Sequence, residues 1–243
     1  MEMPMTNGWQ ESAAAWIAAM GERGDFSRRF VLDEPMMQRV RQGGFDNALD
    51  VGCGEGRFSR MLSEAGVRTI GVDPTERLIE EARRLDPEGD YRIGRAEELK
   101  FPDGAFDLVV SYLALIDIGD AARAMVEMIR VLRPGGKLLI ANLTSFATAS
   151  LSGWSDEPEP RFSIDNYLGE RESWEEWKGI RIRNWHRPLS FYMRALLDAG
   201  MILRYFDEPP PCGGDEETAG RYRRVPWLMM MEWEKPRPSF AKP

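Results

Sequence analysis

The chain has 243 residues, a formal net charge of −8 at pH 7 and 43% hydrophobic residues. These values predict one folded domain with a substantial core, and the acidic balance argues against a protein that grips nucleic-acid phosphates. The two cysteines, Cys53 and Cys212, are far apart and His186 is the single histidine, which excludes a disulfide framework, a zinc ribbon and a multi-histidine metal centre.

No apolar run approaches the roughly 18 residues that a membrane-spanning helix needs. The first twelve residues, MEMPMTNGWQES, lack the basic start and the apolar stretch of a secretion signal. We therefore expect a soluble, cytoplasmic protein with no membrane, nucleic-acid or metal partner.

Helices are predicted at 9–20 and 34–42, where apolar residues recur at spacings of three and four. From residue 46 onward, short apolar strands alternate with amphipathic helices. The strands are predicted at 46–51, 67–72, 91–96, within 106–115 and at 137–143, and the helices at 55–66, 75–86 and 121–133. This alternation predicts βαβ units, a parallel sheet and right-handed crossovers.

The regular alternation stops at residue 143. The segment 144–187 contains a proline-rich turn, a predicted extended stretch and four tryptophans, Trp154, Trp174, Trp177 and Trp185. A helix at 190–200 and a strand at 201–208 resume the pattern, and a last strand is predicted at 225–234. Because only a Pro- and Gly-rich loop is predicted between these two strands, they should pair antiparallel and place a reversed strand at the edge of the sheet.

Residues 48–58, ALDVGCGEGRF, form a strand that runs into Gly52, Gly54 and Gly56. A strand, a glycine turn and a helix in succession are typical of a site for an adenosine-bearing cofactor. The dinucleotide fingerprint GxGxxG fails because Arg57 stands where its third glycine belongs, and the Walker A pattern is absent.

Asp73 ends the second predicted strand, about twenty residues after the glycine turn, where dinucleotide-binding folds place a ribose-binding carboxylate. An ionised carboxylate accepts hydrogen bonds from both ribose hydroxyls. The alternative is that Asp73 only caps the helix that follows Pro74. Cys53, inside the turn, is expected to be a small packed side chain rather than a nucleophile.

Four segments, LDVGCGEG, GVDP, RAEELKFPDGAFDLVVS and VLRPGGKLLI, occur in this order. Together they resemble the successive motifs of the class I S-adenosylmethionine-dependent methyltransferases, and more narrowly the group that includes quinone-biosynthesis methyltransferases. The resemblance covers about residues 9–143 well and the remainder loosely.

The resemblance implies S-adenosylmethionine as cofactor and assigns roles to individual positions. Asp50 and the turn of Gly52, Cys53, Gly54 and Gly56 would contact the methionine part of the cofactor. Asp73 and Pro74 would contact the ribose, and Ala96 and Glu97 would contact the edge of the adenine. Ser111 and Leu113 would line the path of the methyl donor after the fourth strand. Arg28 or Arg29 could reach the cofactor carboxylate, or form a solvated basic pair. The family often has histidine near position 116 or 117, where this chain has Ile116 and Asp117.

The implied fold is α/β, doubly wound and Rossmann-like, with a mostly parallel seven-stranded sheet, an antiparallel edge strand and a lid insertion after the fifth strand. One methyltransferase domain is expected over residues 1–243. Its parts would be N-terminal helices at 1–45, a cofactor-binding core at 46–143, a lid and substrate insertion at 144–187, and a C-terminal helix and strands at 188–243.

His186 is the candidate general base, because it shares a strand face with Ile180 and Ile182 that should point inward. The alternative is a histidine hydrogen-bonded as a structural pin. On the opposite face, Arg181, Arg183 and Arg187 could bind an anionic substrate, or could be solvated.

Transfer of a methyl group to a small-molecule acceptor by in-line displacement is the predicted function, and it needs no metal and no covalent enzyme intermediate. Three alternatives remain: a macromolecule methyltransferase, a non-catalytic S-adenosylmethionine-binding protein and a nicotinamide oxidoreductase. The first is disfavoured by the sequence SYLA after the fourth strand, and the last by Arg57.

Overall fold

The computed structural model describes residues 7–155 and 157–238. The predicted ends of the domain, at residues 1 and 243, lie outside this range. Within it, no helix combines the length and the apolar character needed to cross a membrane.

Helices and strands alternate along the first part of the chain, as predicted. The helices are α1 (Trp9–Met20), α2 (Asp33–Gly43), α3 (Arg57–Glu64), α4 (Glu76–Leu85), α5 (Ala121–Val131), α6 (Ser145–Ala149), α7 (Leu189–Asp198) and α8 (Glu216–Arg224), and a π-helical turn, Arg28–Leu32, leads into α2. The strands are β1 (Asn47–Val51), β2 (Arg68–Asp73), β3 (Asp90–Ile93), β4 (Phe106–Tyr112), β5 (Leu132–Leu143), β6 (Ser150–Trp154), β7 (Phe162–Ile164), β8 (Arg171–Trp177), β9 (Ile180–His186), β10 (Ile202–Asp207) and β11 (Leu228–Glu234).

Seven strands form the central sheet in the order β10-β11-β5-β4-β1-β2-β3. The pairs from β5 to β3 are parallel, whereas β11 is antiparallel to both of its neighbours. The mostly parallel, seven-stranded sheet with a reversed strand near one edge is thus confirmed. The reversed strand lies one place in from the edge, between β5 and β10.

Helices cover both faces of this sheet. On one face, α5 and α7 pack against the strands through Met125, Met128 and Leu196, and on the other, α2 and α3 pack through Met36 and Leu62. Strand β4 is buried along its whole length, as expected for a parallel strand with helices on both faces.

Two boundaries differ from the predictions for local reasons. Strand β5 begins at Leu132 rather than at residue 137. Its pairing with β4 shifts register between Leu132 and Lys137, so the Pro134–Gly136 segment lies within the strand as a bulge. The Pro- and Gly-rich loop predicted between the last two strands contains the start of helix α8, whose N-cap Asp215 accepts a hydrogen bond from the Thr218 backbone N–H at 2.8 Å. The connection between β10 and β11 therefore does contain a helix, although the two strands pair antiparallel as predicted.

The segment 144–187 forms α6 and two antiparallel hairpins, β6–β7 and β8–β9. The second hairpin turns at Lys178 and Gly179, both with positive φ (47° and 80°), which suits a tight two-residue turn. It packs on α1, where Ser12 Oγ donates to the Arg181 carbonyl at 3.0 Å and accepts from the Arg181 N–H at 2.9 Å. The hairpin and α1 thus form one continuous layer.

Candidate cofactor-binding site

The turn after β1 requires glycine for steric reasons. Gly52 and Gly56 have φ of 78° and 76°, which side chains rarely adopt. A Cβ on Gly52 would lie 2.3 Å from the Ala114 Cβ, and one on Gly56 would lie 2.5 Å from the Tyr91 ring. Glycine is therefore needed at both positions, because the turn packs closely against Ala114 and Tyr91.

Asp73 holds the glycine turn in place. One carboxylate oxygen accepts from the Gly54 N–H at 3.1 Å and the other from the Thr75 N–H at 2.8 Å. Burial raises the pKa of Asp73 above its usual range. A carboxylate has about four acceptor positions, so Asp73 keeps two for a ligand while it caps the start of α4.

Asp50 is 1% exposed at the end of β1. Its Oδ2 accepts a hydrogen bond from Ser59 Oγ at 2.7 Å, but its Oδ1 has no partner among the described residues. Burial raises the pKa of Asp50 to about 7. A buried oxygen without a donor is costly, so this atom marks a place where a ligand donor would be accommodated.

A cavity of about 640 Å³ opens at the carboxyl ends of β1, β2 and β4. Nine of the residues predicted to bind the cofactor line it: Asp50, Gly52, Cys53, Gly54, Asp73, Pro74, Ala96, Glu97 and Leu113. Two predicted residues do not. Gly56 faces the Tyr91 ring, and Ser111 is fully buried inside β4.

Cys53 is 8% exposed and packs with Ile79, Ala82 and Tyr91. Burial and the neighbouring carboxylates raise the pKa of its thiol well above the usual range. A protonated thiol is a poor nucleophile, which agrees with the expected packing role.

Helix α1 and the segment around Arg28 form one side of the cavity. Trp16 of α1 donates from Nε1 to the Glu55 carboxylate at 2.9 Å. The Arg28 guanidinium lies 4.9 Å from the Trp16 ring and pairs with Asp25 at 2.9 Å. Arg28 lines the cavity, whereas Arg29 lies over the Phe30 ring. Of the two predicted arginines, Arg28 is the one placed to meet a ligand.

Arg57, at the position where a dinucleotide-binding site has glycine, links three elements of the fold. Its guanidinium forms a two-point ion pair with Asp33 of α2. The same carboxylate accepts a hydrogen bond from the Tyr112 hydroxyl at 2.9 Å. This side chain therefore joins α2, α3 and the end of β4.

The segment after β4 is held by a buried arginine. Arg187 is 2% exposed, and its guanidinium donates to the carbonyls of Leu115 (3.1 Å), Ile118 (2.7 Å) and Gly119 (2.8 Å). This corrects the prediction that Arg187 is solvated or binds an anionic substrate: three of its five N–H groups donate to backbone carbonyls, and its Nε lies 3.7 Å from the Glu170 carboxylate. Leu113, at the start of this segment, has φ of 56°, an uncommon value for a residue with a side chain.

The other two arginines of β9 have separate environments. Arg181 is exposed and pairs with Glu176 at 2.6 Å. Arg183 pairs with Glu172 at 3.1 Å and also lines the cavity. The predicted arginine face therefore does not act as one anion-binding surface.

His186 lies outside the cavity lining. It is 3% exposed, and its Nδ1 is 2.7 Å from Thr148 Oγ1 while its Nε2 is 2.9 Å from the Tyr167 carbonyl oxygen. Both ring nitrogens are therefore occupied. This arrangement opposes the predicted role as general base and favours the structural alternative, because neither nitrogen is free to take a proton from a substrate.

Replacing His186 by alanine should lower the free energy of unfolding by about 2 kcal/mol at pH 8, through two lost hydrogen bonds, and leave ligand binding unchanged. Burial lowers the pKa of His186, so the folded state prefers the neutral ring. Its contribution is present above the unfolded pKa of about 6.5 and is lost as the pH falls below it. Urea unfolding of both proteins at pH 8 and pH 5.5 should therefore show a smaller difference at pH 5.5. An unchanged or larger difference at pH 5.5 would contradict this assignment.

Asp117 is a site residue whose role the sequence left open. It lines the cavity from the segment after β4, and the Asn184 side-chain amide of β9 donates to its Oδ1. Burial, followed by the charge of Asp73, raises the pKa of Asp117 well above its usual range. The one available signal was a lone carboxylate in the apolar run ALIDI.

Four tryptophans line the cavity: Trp9 and Trp16 of α1, Trp177 of β8 and Trp227 just before β11. Trp154, Trp174 and Trp185 do not belong to its lining. Trp227 lies outside the segment 144–187, and sequence reasoning did not single it out. Its approach to the cavity follows from the position of β11 beside β5.

Residues 49–140 match the family model described as a methyltransferase domain. The chain is 36% identical over 100 residues to a malonyl-[acyl-carrier protein] O-methyltransferase of Serratia marcescens, covering 41% of this chain and 39% of that protein. It is 33% identical over 96 residues to a demethylmenaquinone methyltransferase of Renibacterium salmoninarum, covering 40% of each. The chain thus spans about two fifths of the length of these curated relatives.

A crystal structure of an S-adenosylmethionine-dependent methyltransferase from Mesorhizobium loti superimposes with a TM-score of 0.74 at 25% identity, over 88% of this chain and 100% of that one. The fold and the glycine-turn cavity are those of a Rossmann-like nucleotide-binding protein. Residues 49–140 therefore carry a methyltransferase domain, and S-adenosylmethionine is the cofactor that this domain and the structural likeness imply.

Proposed function

We propose that the protein transfers a methyl group from S-adenosylmethionine to a small-molecule acceptor. The observation that carries this proposal is the convergence of the glycine turn, Asp73 and the unpartnered oxygen of Asp50 on one cavity of about 640 Å³. Cavities of roughly 300–1,000 Å³ are of the size that encloses small ligands.

The residues present fit the cofactor. Asp73 has acceptor positions left for hydrogen bonds from the two ribose hydroxyls. Asp50 Oδ1 can accept a hydrogen bond from the ammonium group of the methionine part. Arg28 suits the methionine carboxylate, because its guanidinium lines the same cavity. When bound, the cofactor supplies an electrophilic methyl group, and the protein's task is to orient it and keep water out.

The acceptor is proposed to lie beyond β4, towards β5 and β11. There the cavity is lined by Leu113, Leu143 and Trp227, which suit an apolar or aromatic portion of an acceptor. The names of the two curated relatives specify malonyl-[acyl-carrier protein] and demethylmenaquinone as acceptors, which agrees with an acyl or quinone-like group at this end.

We further propose that α1 and the β8–β9 hairpin act together as the lid that the sequence predicted for 144–187. Both elements contribute cavity-lining residues, Trp16 from α1 and Asn184 from β9. Hydrogen bonds join the two elements: Ser12 of α1 bonds to the backbone of Arg181, and the Arg183 N–H donates at 3.0 Å to the carbonyl of Asn7, two residues before α1. The lid thus includes part of the N-terminal region as well as the insertion.

Calorimetry tests the cofactor, and a transfer assay with a labelled methyl donor tests the reaction. S-adenosylhomocysteine should bind with a 1:1 stoichiometry and NADH should not bind. A panel of small carboxylic acids, phenols, quinols and amines should include an acceptor that gains label. Tight binding of NADH without binding of S-adenosylhomocysteine would contradict the proposal.

A further inference from the structure

We propose that Asp117 binds the positive charge of the donor's sulfonium, so that the cavity prefers the methylated donor to its demethylated product. This inference rests on the proposed function and concerns a residue to which the family resemblance assigned no role. Its basis is the distribution of charge around the cavity.

Each arginine in the cavity lining already has a carboxylate partner. The pairs are Arg28 with Asp25 (2.9 Å), Arg57 with Asp33, Arg95 with Glu97 (2.9 Å) and Arg183 with Glu172 (3.1 Å). These cations are therefore largely neutralised before any ligand arrives.

Six cavity-lining carboxylates have no lysine or arginine partner within residues 7–155 and 157–238: the exposed Glu11 and Asp120, and the less exposed Asp50, Glu55, Asp73 and Asp117. Neutral donors hold the less exposed four: Ser59 for Asp50, Trp16 for Glu55, backbone N–H groups for Asp73 and Asn184 for Asp117. Buried carboxylates without a cation are unfavourable as anions. A bound cation would relieve this cost.

The unpartnered Oδ1 of Asp50 independently indicates a ligand in this cavity, because that residue is 1% exposed and lines it. The donor carries two positive centres, an ammonium and a sulfonium. The ammonium is present in both donor and product, and Asp50 at the glycine turn suits it. The sulfonium is present in the donor alone and needs a different carboxylate.

The position of Asp117 suits the sulfonium. In the proposed binding mode, Asp73 holds the ribose and Arg28 the methionine carboxylate, and the sulfonium joins these two parts. Asp117 lines the cavity from the segment after β4, and Asp73 and Arg28 line the same cavity. The Asn184 amide donates to one carboxylate oxygen, and the Trp9 side chain is a second neutral donor to the same carboxyl group.

Methyl transfer removes the charge that Asp117 would bind. The acceptor's nucleophile forms a bond to the methyl carbon, and the electron pair of the broken S–CH3 bond stays on sulfur as a neutral thioether. The carboxylate then loses its partner, and the product is held less tightly than the donor. Asp117 would therefore act as a specificity-determining residue that limits inhibition by the product.

Calorimetry with three ligands tests this directly: S-adenosylmethionine, S-adenosylhomocysteine and the donor analogue in which a protonated amine replaces the sulfonium. The wild-type protein should bind both cationic ligands roughly tenfold more tightly than S-adenosylhomocysteine, the factor that corresponds to about 1.4 kcal/mol. Asp117→Asn should remove this preference and keep affinity for S-adenosylhomocysteine within about twofold. Asp117→Glu, which keeps the charge, should retain part of the preference.

Equal weakening of all three ligands by Asp117→Asn would overturn the inference, because the carboxylate would then serve a group that donor and product share. An unchanged preference would overturn it too. If Asp117→Asn does not fold, the affinities of the wild-type protein still test the inference. Binding of S-adenosylhomocysteine as tight as that of S-adenosylmethionine would contradict it. Absence of binding by all three ligands to the wild-type protein would instead contradict the proposed function.

Discussion

Asp73→Ala should weaken S-adenosylhomocysteine binding by at least about a hundredfold, since hydrogen bonds to a charged group contribute roughly 1.5–3 kcal/mol each and two ribose hydroxyls would lose theirs. The change also removes the acceptors for the Gly54 and Thr75 N–H groups. The glycine turn should consequently be less well ordered. Calorimetry measures the affinity, and circular dichroism checks that the variant is folded.

Asp90→Ala is the matched control. Asp90 begins β3, the strand beside β2, but its carboxylate is half exposed in a surface pair with Arg92 at 2.6 Å. Such pairs contribute about 0–1 kcal/mol, so this variant should bind S-adenosylhomocysteine as the wild type does. Unchanged affinity in Asp73→Ala would refute the assignment of the ribose to Asp73 and return that residue to a capping role alone.

Arg187→Ala should lower the free energy of unfolding by about 3–5 kcal/mol, because three buried carbonyl groups lose their donor. The segment after β4 carries Leu113, Asp117 and other cavity-lining residues, so ligand affinity should fall as well. Arg187→Lys should recover a part of the stability only, since one ammonium cannot reproduce the spread of guanidinium donors. Urea unfolding gives the stability and calorimetry the affinity.

Arg181→Ala provides the comparison on the same strand. Its side chain is 57% exposed and pairs with a carboxylate that is 66% exposed, so the loss should stay below about 1 kcal/mol. If Arg187→Ala were no more destabilising than Arg181→Ala, the buried hydrogen bonds of Arg187 would not hold the segment after β4.

The core of the fold could be predicted because the local sequence patterns specify the same strands and helices that the tertiary structure contains. Strand β1 runs into the glycine turn, β2 ends at Asp73 and β4 is a buried apolar run, so each can be recognised without its neighbours. The segment 144–187 was harder. Strand β8, RESWEEW, is exposed along most of its length and has no clear alternation, so its existence depends on pairing with β9 and on the Lys178–Gly179 turn.

The site residues also fall into two groups, those that the sequence motif predicts and those that depend on tertiary structure. Positions carried by the motif, such as Gly52, Asp73 and Ala96, line the cavity because the backbone conformation of the motif sets them. The prediction for His186 rested on strand parity, which gives the face of a side chain but not its hydrogen-bond partners. Trp227 could not be found from sequence, since it meets the cavity only through the order of strands in the sheet.

The placement of β11 between β5 and β10 has a consequence for biosynthesis. Every other strand of the sheet precedes β11 in the chain, and two of them need it as their hydrogen-bonded neighbour. While residues 228–234 are still inside the ribosome, β5 has an open edge with unpaired backbone groups, a state prone to aggregation. The nascent sheet must therefore stay incomplete until those residues emerge, so closing it is a late, long-range step that requires β11 to insert between strands already synthesised.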